Sequence, residues 1–210
     1  VKGFASKNVK CVPYPCFLAL PPVESGGYRN DPPVLLALGG TRHDKGLDIL
    51  LKALEGVKAP FQLVIAGKPE DFDEDYIVSH TEKYRDKVRL CLRFLSDEEV
   101  KEFLVESDII VLPYRREFDG ASGPMCEGIY LGKTIIGPSH GSLGSQLQSS
   151  HAGYTFESEN VEQLAACIEY ALTHPCVYDE TAYQMQKELS PELFAERYLR
   201  IYREVVQKKG

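Results

Sequence analysis

The feature that most constrains this chain is a sixfold alternation of short apolar runs with segments of helical periodicity. The runs are apolar over nearly their whole length, as strands are when helices cover both faces of a parallel sheet. In chain order they are Val34–Leu38, Phe61–Ala66, Val88–Leu92, Asp108–Leu112, Thr134–Gly137 and Tyr154–Phe156. The pattern predicts an α/β domain with a doubly wound, mainly parallel six-stranded sheet flanked by helices.

Local start signals place several helices between these runs. Ser96–Glu99 is a capping box, and Asn160 with Gln163 forms a second cap. Ser190 followed by Pro191 begins the last helix, because proline is well tolerated in a first helical turn. The spacing of apolar residues in that last helix predicts a buried face made of Phe194, Tyr198, Ile201 and Val205.

The chain divides into three parts. Residues 1–32 are rich in proline and glycine, which indicates a linker or irregular arm rather than a packed core, and suggests that another domain precedes it. Residues 33–189 contain the alternating pattern, and residues 190–210 form the closing helix.

Charge and hydropathy exclude some classes of function. The formal net charge of −7 disfavours binding to nucleic acid by bulk charge. No apolar run approaches the roughly 20 residues that cross a bilayer, and no signal-peptide pattern is evident, so we expect a cytoplasmic location.

Five loops should leave the carboxyl ends of the strands, where such sheets bind ligands. They are Gly39–Gly46, Gly67–Phe72, Arg93–Asp97, Pro113–Gly123 and Gly137–Leu143. Four of the five place glycine beside polar or charged residues, and this convergence is stronger evidence than any single motif.

The first and fourth loops carry the most specific signals. In the first, glycines, Arg42, Lys45 and a following helix N-terminus could hold a pyrophosphate; the alternative is a tight turn with exposed charges. After the fourth, Glu127 falls early in a helix among apolar neighbours, so we expect it to be partly buried. Its carboxylate could accept hydrogen bonds from ribose hydroxyls, or could only stabilise the helix dipole.

Signals for metal or histidine chemistry are weak. Asp71–Asp73 and Asp73–Asp75 match a three-residue pattern of metal-dependent sugar transferases, but acidic residues are common at helix starts. We predict no metal site. His43 and His140 lie in ligand-facing loops, where an exposed histidine is the simpler interpretation.

Taken in order, the blocks resemble retaining glycosyltransferases of the GT-B fold, family 4. Leu38–Leu51 resembles the family's G-R-…-K-G segment, and Val88–Pro113 resembles the stretch that ends in its Asp and Pro. Asp119–Gly132 resembles the family's block of two acids eight residues apart, and Gly137–Gly144 its glycine-rich loop. The resemblance runs from about residue 34 to residue 207.

The resemblance implies that the chain is the C-terminal, Rossmann-like half of a GT-B enzyme. Such a half binds a nucleotide-diphosphate sugar, UDP- or GDP-linked, for hexosyl transfer to an unknown acceptor, and needs no cofactor. The acceptor-binding N-terminal domain would be the missing partner, and could bring peripheral membrane association. The isolated half should bind nucleotide and transfer little sugar.

The family's functional residues carry over to particular positions here. Arg42 and Lys45 would neutralise the donor diphosphate, and Glu127 would hold the ribose. Asp119 stands eight residues before Glu127, where the family has a glutamate that contacts the transferred sugar. The resemblance assigns catalytic roles to Asp119, Lys45 and Arg42, and donor binding to Gly40, Thr41, Arg42, Lys45, Arg93, Phe94, Leu95, Ser122, Gly123 and Glu127.

Two other interpretations stay open. The chain could belong to another GT-B relative, such as a sugar-nucleotide epimerase or a phosphorylase. It could also be a non-catalytic α/β interaction module with a degenerate pocket, which Asp119 and Pro124 favour because both depart from the family pattern.

Overall fold

A six-stranded, entirely parallel sheet forms the centre of the computed structural model, which describes residues 10, 12–18, 20–118 and 120–207. The strand order is β3-β2-β1-β4-β5-β6. The strands are β1 Val34–Leu38, β2 Gln62–Ala66, β3 Val88–Cys91, β4 Ile109–Val111, β5 Thr134–Pro138 and β6 Gly153–Phe156. The predicted fold class is confirmed, and each strand lies within two residues of its predicted bounds.

Helices cover both faces of the sheet. Within the described residues they are α1 Leu47–Leu54, α2 Glu74–Thr81, α3 Asp97–Glu106, α4 Gly123–Tyr130, α5 Gly141–Ser150, α6 Val161–Thr173, α7 Glu180–Glu188 and α8 Pro191–Gln207. Short 3₁₀ segments run over His43–Lys45 and Glu82–Lys87. None of the helices in the described ranges is both long and apolar enough to cross a membrane.

Successive residues of each strand pack alternately into two apolar layers, one on each face of the sheet. Leu35 is fully buried in a layer with α1 and α6, and its neighbour Leu36 is fully buried in the opposite layer with α3 and α4. This alternation follows from the period of two along a strand. It explains why the strands are apolar on both faces and holds the sheet as a rigid base for the loops at its edges.

The arm before β1 takes an irregular course, but it does not stand apart from the core. Cys16 and Leu18 are buried in the layer of α4 and α5, and the backbone N–H of Cys16 donates to the Leu189 carbonyl at 2.8 Å. The expectation that this segment lacks packed residues is therefore wrong at these two positions.

The last helix also differs from expectation, since none of its residues in the described range is buried. Tyr198 is 42% exposed and Val205 is 48% exposed. The reason is α7, which the sequence analysis did not predict and which occupies the space against α4 and α5. Helix α8 follows at the periphery, where Phe194 meets Phe17 of the arm.

Candidate functional site

A cleft of about 410 Å³ opens at the carboxyl ends of β1, β2 and β3, facing the start of α4. We call it the carboxyl-end cleft. The predicted donor-binding residues that line it are Gly40, Arg42, Lys45, Phe94, Leu95 and Glu127. The structure therefore brings together predicted residues from two loops and one helix, from Gly40 to Glu127, which lie far apart in the sequence.

Two glycines allow the loops to converge. At Gly67 (φ +146°) a Cβ atom would lie 2.0 Å from the Gly39 carbonyl oxygen, and at Gly46 (φ +66°) it would lie 2.1 Å from that of Pro113. No side chain fits at such distances, and positive φ itself favours glycine. These close approaches hold the first loop against the chain that follows β2 and the chain that follows β4.

Thr41 joins the first two loops and is only 3% exposed. Its hydroxyl donates to the Phe72 carbonyl at 2.7 Å and accepts from the Glu70 N–H at 2.8 Å. Its backbone N–H donates to the Lys68 carbonyl at 3.1 Å. The side chain of this predicted donor-binding residue is thus used to hold the two loops together.

Arg42 lies at the cleft with its charge already paired. Its Nε and Nη2 atoms donate to the Asp44 carboxylate at 2.9 and 2.6 Å, a two-pronged contact. The guanidinium holds the pKa of Asp44 below its usual value, chiefly through these hydrogen bonds. Because the pair is exposed, it should contribute little to stability and can open toward an anion.

Lys45 is half-buried, and its ammonium lies over two aromatic rings. Nζ is 3.9 Å from the centre of the Tyr114 ring and 4.1 Å from that of Phe118. Burial, with a smaller effect of Arg42, lowers the pKa of Lys45 to about 8. The side chain therefore places a desolvated cation at the cleft.

Glu127 supplies the opposite charge on the α4 side. Burial raises the pKa of its carboxyl to about 7, and the charge of Asp97 adds to this effect. Gly123, one turn earlier in α4, lies against this carboxyl, since a Cβ atom there would be in van der Waals contact with Glu127 Oε1 at 3.7 Å. The carboxyl is partly buried, as predicted, and Glu127 lines the cleft.

The third loop presents a ring rather than a charge. Phe94 is 82% exposed at the cleft, and Leu95 packs against the core beside it. Arg93 points elsewhere, because its guanidinium is paired with Glu99, the residue that completes the capping box of α3. The pair raises the pKa of Arg93 and lowers that of Glu99 to about 2, mainly through hydrogen bonding.

The fourth loop contributes mainly a helix start. Ser122 is 1% exposed and caps α4, accepting from the Met125 N–H at 3.3 Å. Gly123 and Pro124 form the first two positions of α4, and Pro124 lines the cleft. Asp119, the predicted catalytic acid, lies outside the described residues.

The other residues singled out by sequence have local roles. Asp73 caps α2, and Asp71 accepts from the His43 N–H at 2.7 Å. The His43 ring lies 3.1 Å from Glu117, and the His140 ring lies 2.9 Å from the Ser158 hydroxyl. Over the described ranges, no cluster of three or more His, Cys, Asp or Glu side chains could hold a metal ion.

Sequence reasoning missed two charged residues of the cleft. Lys68 and Glu70, in the loop after β2, line it and lie 3.7 Å apart as an ion pair. The sequence did offer a signal for these two residues, namely their position in the loop that begins with Gly67, directly after β2. Together with Arg42 and Glu127, they give the cleft a mixed charge rather than a purely cationic one.

The chain also matches known proteins. The model of the family described as glycosyl transferases group 1 matches residues 23–189. No curated protein sequence matches the chain.

Three solved structures have folds similar to that of this chain. Sucrose-phosphate synthase from Thermosynechococcus elongatus has 18% identity and a TM-score of 0.69, over 85% of this chain and 46% of that one. Anabaena HepE, solved in complex with UDP, has 13% identity and a TM-score of 0.61, over 83% and 48%. The C-terminal domain of a group 1 glycosyl transferase, LpcC from Francisella tularensis, has 16% identity and a TM-score of 0.55, over 83% and 88%.

The fold is therefore that of the Rossmann-like half of GT-B glycosyltransferases, and the chain spans under half the length of the first two structures. Because the family model covers most of the sequence, the chain belongs to the glycosyl transferases group 1 family.

Proposed function

We propose that this chain is the donor-binding half of a retaining glycosyltransferase that uses a nucleotide-diphosphate sugar, linked to UDP or GDP. The observation that carries the proposal is the carboxyl-end cleft, which Arg42, Lys45 and Glu127 all line, so that two cations and a carboxyl border one cavity. The relative solved with UDP supports a nucleotide as the ligand class.

The charges suggest how each part of the donor would be held. Lys45 and Arg42 would neutralise the diphosphate, with Arg42 exchanging its contact with Asp44 for a phosphate. Glu127, in its carboxylate form, would accept hydrogen bonds from the ribose hydroxyls. Phe94 and Leu95 would lie beside the base, where their apolar surface suits a flat ring.

Catalysis in this proposal depends on positioning and on stabilising the departing diphosphate. Negative charge grows on the leaving group as the glycosidic bond breaks, and two cations in a partly desolvated cleft would favour that change. Asp119 would contact the sugar. The acceptor would come from a separate N-terminal domain, so this half alone should bind nucleotide without appreciable transfer.

Calorimetric titration with UDP, GDP and ADP, with and without Mg²⁺, tests the proposal. We expect metal-independent binding of one nucleotide, abolished in Lys45→Glu and weakened in Glu127→Ala. Lys83→Glu is the matched control, because it makes the same charge change at an exposed lysine paired with Glu55 outside the cleft. Equal binding by Lys45→Glu and the parent protein would contradict the phosphate role.

One observation favours a second candidate, a non-catalytic interaction module. Arg42 is already neutralised by Asp44, as it would be in a cleft that no longer binds anions. Absence of binding by all three nucleotides at millimolar concentration would support this candidate against the first.

A further inference from the structure

The ammonium of Lys45 occupies a cage formed by two aromatic rings. The rings of Tyr114 and Phe118 have their centres 4.5 Å apart and are inclined at 51°, so both present surface to Nζ. A cation within about 6 Å of a ring centre is attracted by the electron-rich face. Both distances, near 4 Å, are well inside that limit.

The scaffold fixes the deeper of the two rings. Tyr114 is 2% exposed, and its carbonyl accepts a hydrogen bond of 2.8 Å from the Ser158 hydroxyl. Its own hydroxyl lies 3.3 Å from the hydroxyl of Ser122, the cap of α4. Hydrogen-bonding contacts at the backbone and at the hydroxyl fix the orientation of the Tyr114 ring. The ring in turn fixes the position of the Lys45 ammonium.

This way of holding a cation differs from that used for Arg42. An ion pair consumes N–H donors and cancels charge, whereas a ring attracts the cation and leaves its three N–H groups available. Among the described residues, no carboxylate lies within ion-pair distance of Lys45 Nζ, whereas Arg42 is bound twice by Asp44. Lys45 is therefore placed at the cleft without being neutralised there.

We propose that Tyr114 and Phe118 are positioning residues, which hold the Lys45 ammonium at the place where it meets the donor diphosphate. The inference rests on the proposed function, because it concerns the same anion. The rings act only through Lys45 and would not themselves contact phosphate.

The test compares Phe118→Leu, which removes one ring, with Phe118→Tyr, which keeps it. Phe118 is half-buried, so neither change should prevent folding. Phe17→Leu is the control, since it removes an exposed ring at the arm, remote from Lys45. The probes are UDP, GDP, ADP and inorganic pyrophosphate, measured by calorimetry.

We expect Phe118→Leu to weaken binding of the diphosphate probes by about threefold to tenfold, with Phe118→Tyr and Phe17→Leu unchanged. Proton–carbon NMR of labelled lysine supplies a second readout. The Lys45 methylene next to Nζ should be shifted upfield by the rings in the parent protein, and Phe118→Leu should reduce that shift. The shift reports whether the ring lies over Lys45, and the change in diphosphate affinity reports whether that placement serves the ligand.

Failure of the positioning role and failure of the proposed function would give different results. An unshifted Lys45 signal, or equal diphosphate affinity in Phe118→Leu and the parent, overturns the positioning role while nucleotide binding stands. Failure of the parent protein to bind any probe overturns the proposed function, and the positioning role with it.

Discussion

The two edges of the sheet bury charged groups in opposite ways. At the amino-end edge, Asp108 is 5% exposed and accepts hydrogen bonds from the N–H groups of Arg29 and Val34 and from the Asn30 amide, at 2.8 to 2.9 Å. At the carboxyl-end cleft, Lys45 and Glu127 are less deeply buried, and no hydrogen bond to either side-chain charge is found among the described residues.

The lysines make the contrast clear. Burial lowers the pKa of Lys133 to about 8, as it does for Lys45. Lys133 nevertheless donates to the carbonyls of Val105 and Ser107, at 2.8 and 2.5 Å, whereas the contacts found for Lys45 Nζ in the described part of the chain are with two aromatic rings. A shifted pKa therefore does not identify a binding site in this protein. The two lysines differ in whether other groups of the protein accept hydrogen bonds from the buried ammonium.

Replacement of Asp108 should have the largest effect, and that effect is on the stability of the fold. Asp108→Ala leaves two part-buried N–H groups and the Asn30 amide without this acceptor, so we expect the free energy of unfolding to fall by about 4 kcal/mol. Urea unfolding measures this change. Asp86→Ala, the same substitution at an exposed position, should change it by under about 0.5 kcal/mol. A loss below about 1 kcal/mol at Asp108 would remove the contrast between the edges.

The second largest effect should be a dependence of the free energy of unfolding on pH, caused by Glu127. Its pKa is raised from 4.5 to about 7 by folding, so its contribution to stability is complete below pH 4.5 and is lost as the pH rises to 7. The loss amounts to at most about 3 kcal/mol. Glu127→Gln should therefore be more stable than the parent at pH 8 and similar to it at pH 4.5.

Urea unfolding at several pH values between 4.5 and 8 checks this prediction. Glu117→Gln makes the same change at an exposed loop residue and should leave the parent's pH dependence intact. If Glu127→Gln had the same slope as the parent, the carboxyl would not be desolvated in the folded protein.

The smallest effects come from one substitution made at both lysines. Lys133→Met should lower the free energy of unfolding by about 2 kcal/mol, because two carbonyls lose their donor, and should leave nucleotide affinity unchanged. Lys45→Met should do the reverse, changing stability by less than about 1 kcal/mol and weakening diphosphate binding by about tenfold. Unfolding and calorimetric titration of both variants give the four values. Matching results at the two positions would mean that the edges do not differ in role.

Local signals were enough to predict much of the fold. The α3 capping box is present as predicted, with Ser96 accepting from the Glu99 N–H, because both partners lie within one helical turn. Helix α7 escaped prediction because its buried face includes the polar Gln186, whose amide donates to the carbonyls of Val23 and Tyr130. The polar Gln186 interrupts the short apolar stripe of Ala182, Met185 and Leu189, and its hydrogen-bond partners lie in other parts of the chain.

The loops that form the candidate site could be predicted from the sequence, but the side-chain contacts within the site could not. A parallel sheet brings the carboxyl ends of its strands to one edge, so Gly40, Lys45, Phe94 and Glu127 could be grouped from topology alone. The ring contacts of Lys45 could not be, because they join residues about 70 positions apart through side-chain geometry. The pairing of Arg93 with Glu99, away from the cleft, also depends on which rotamers the loop allows.

The hydrogen bonds of Thr41 tie the lengths of two loops to each other. Its hydroxyl and backbone groups meet Lys68, Glu70 and Phe72 at fixed distances, so inserting or deleting one residue in either loop would move these partners out of register. The first two loops can therefore change in sequence independently, but in length only together. Any redesign of the cleft's width has to treat them as a single part.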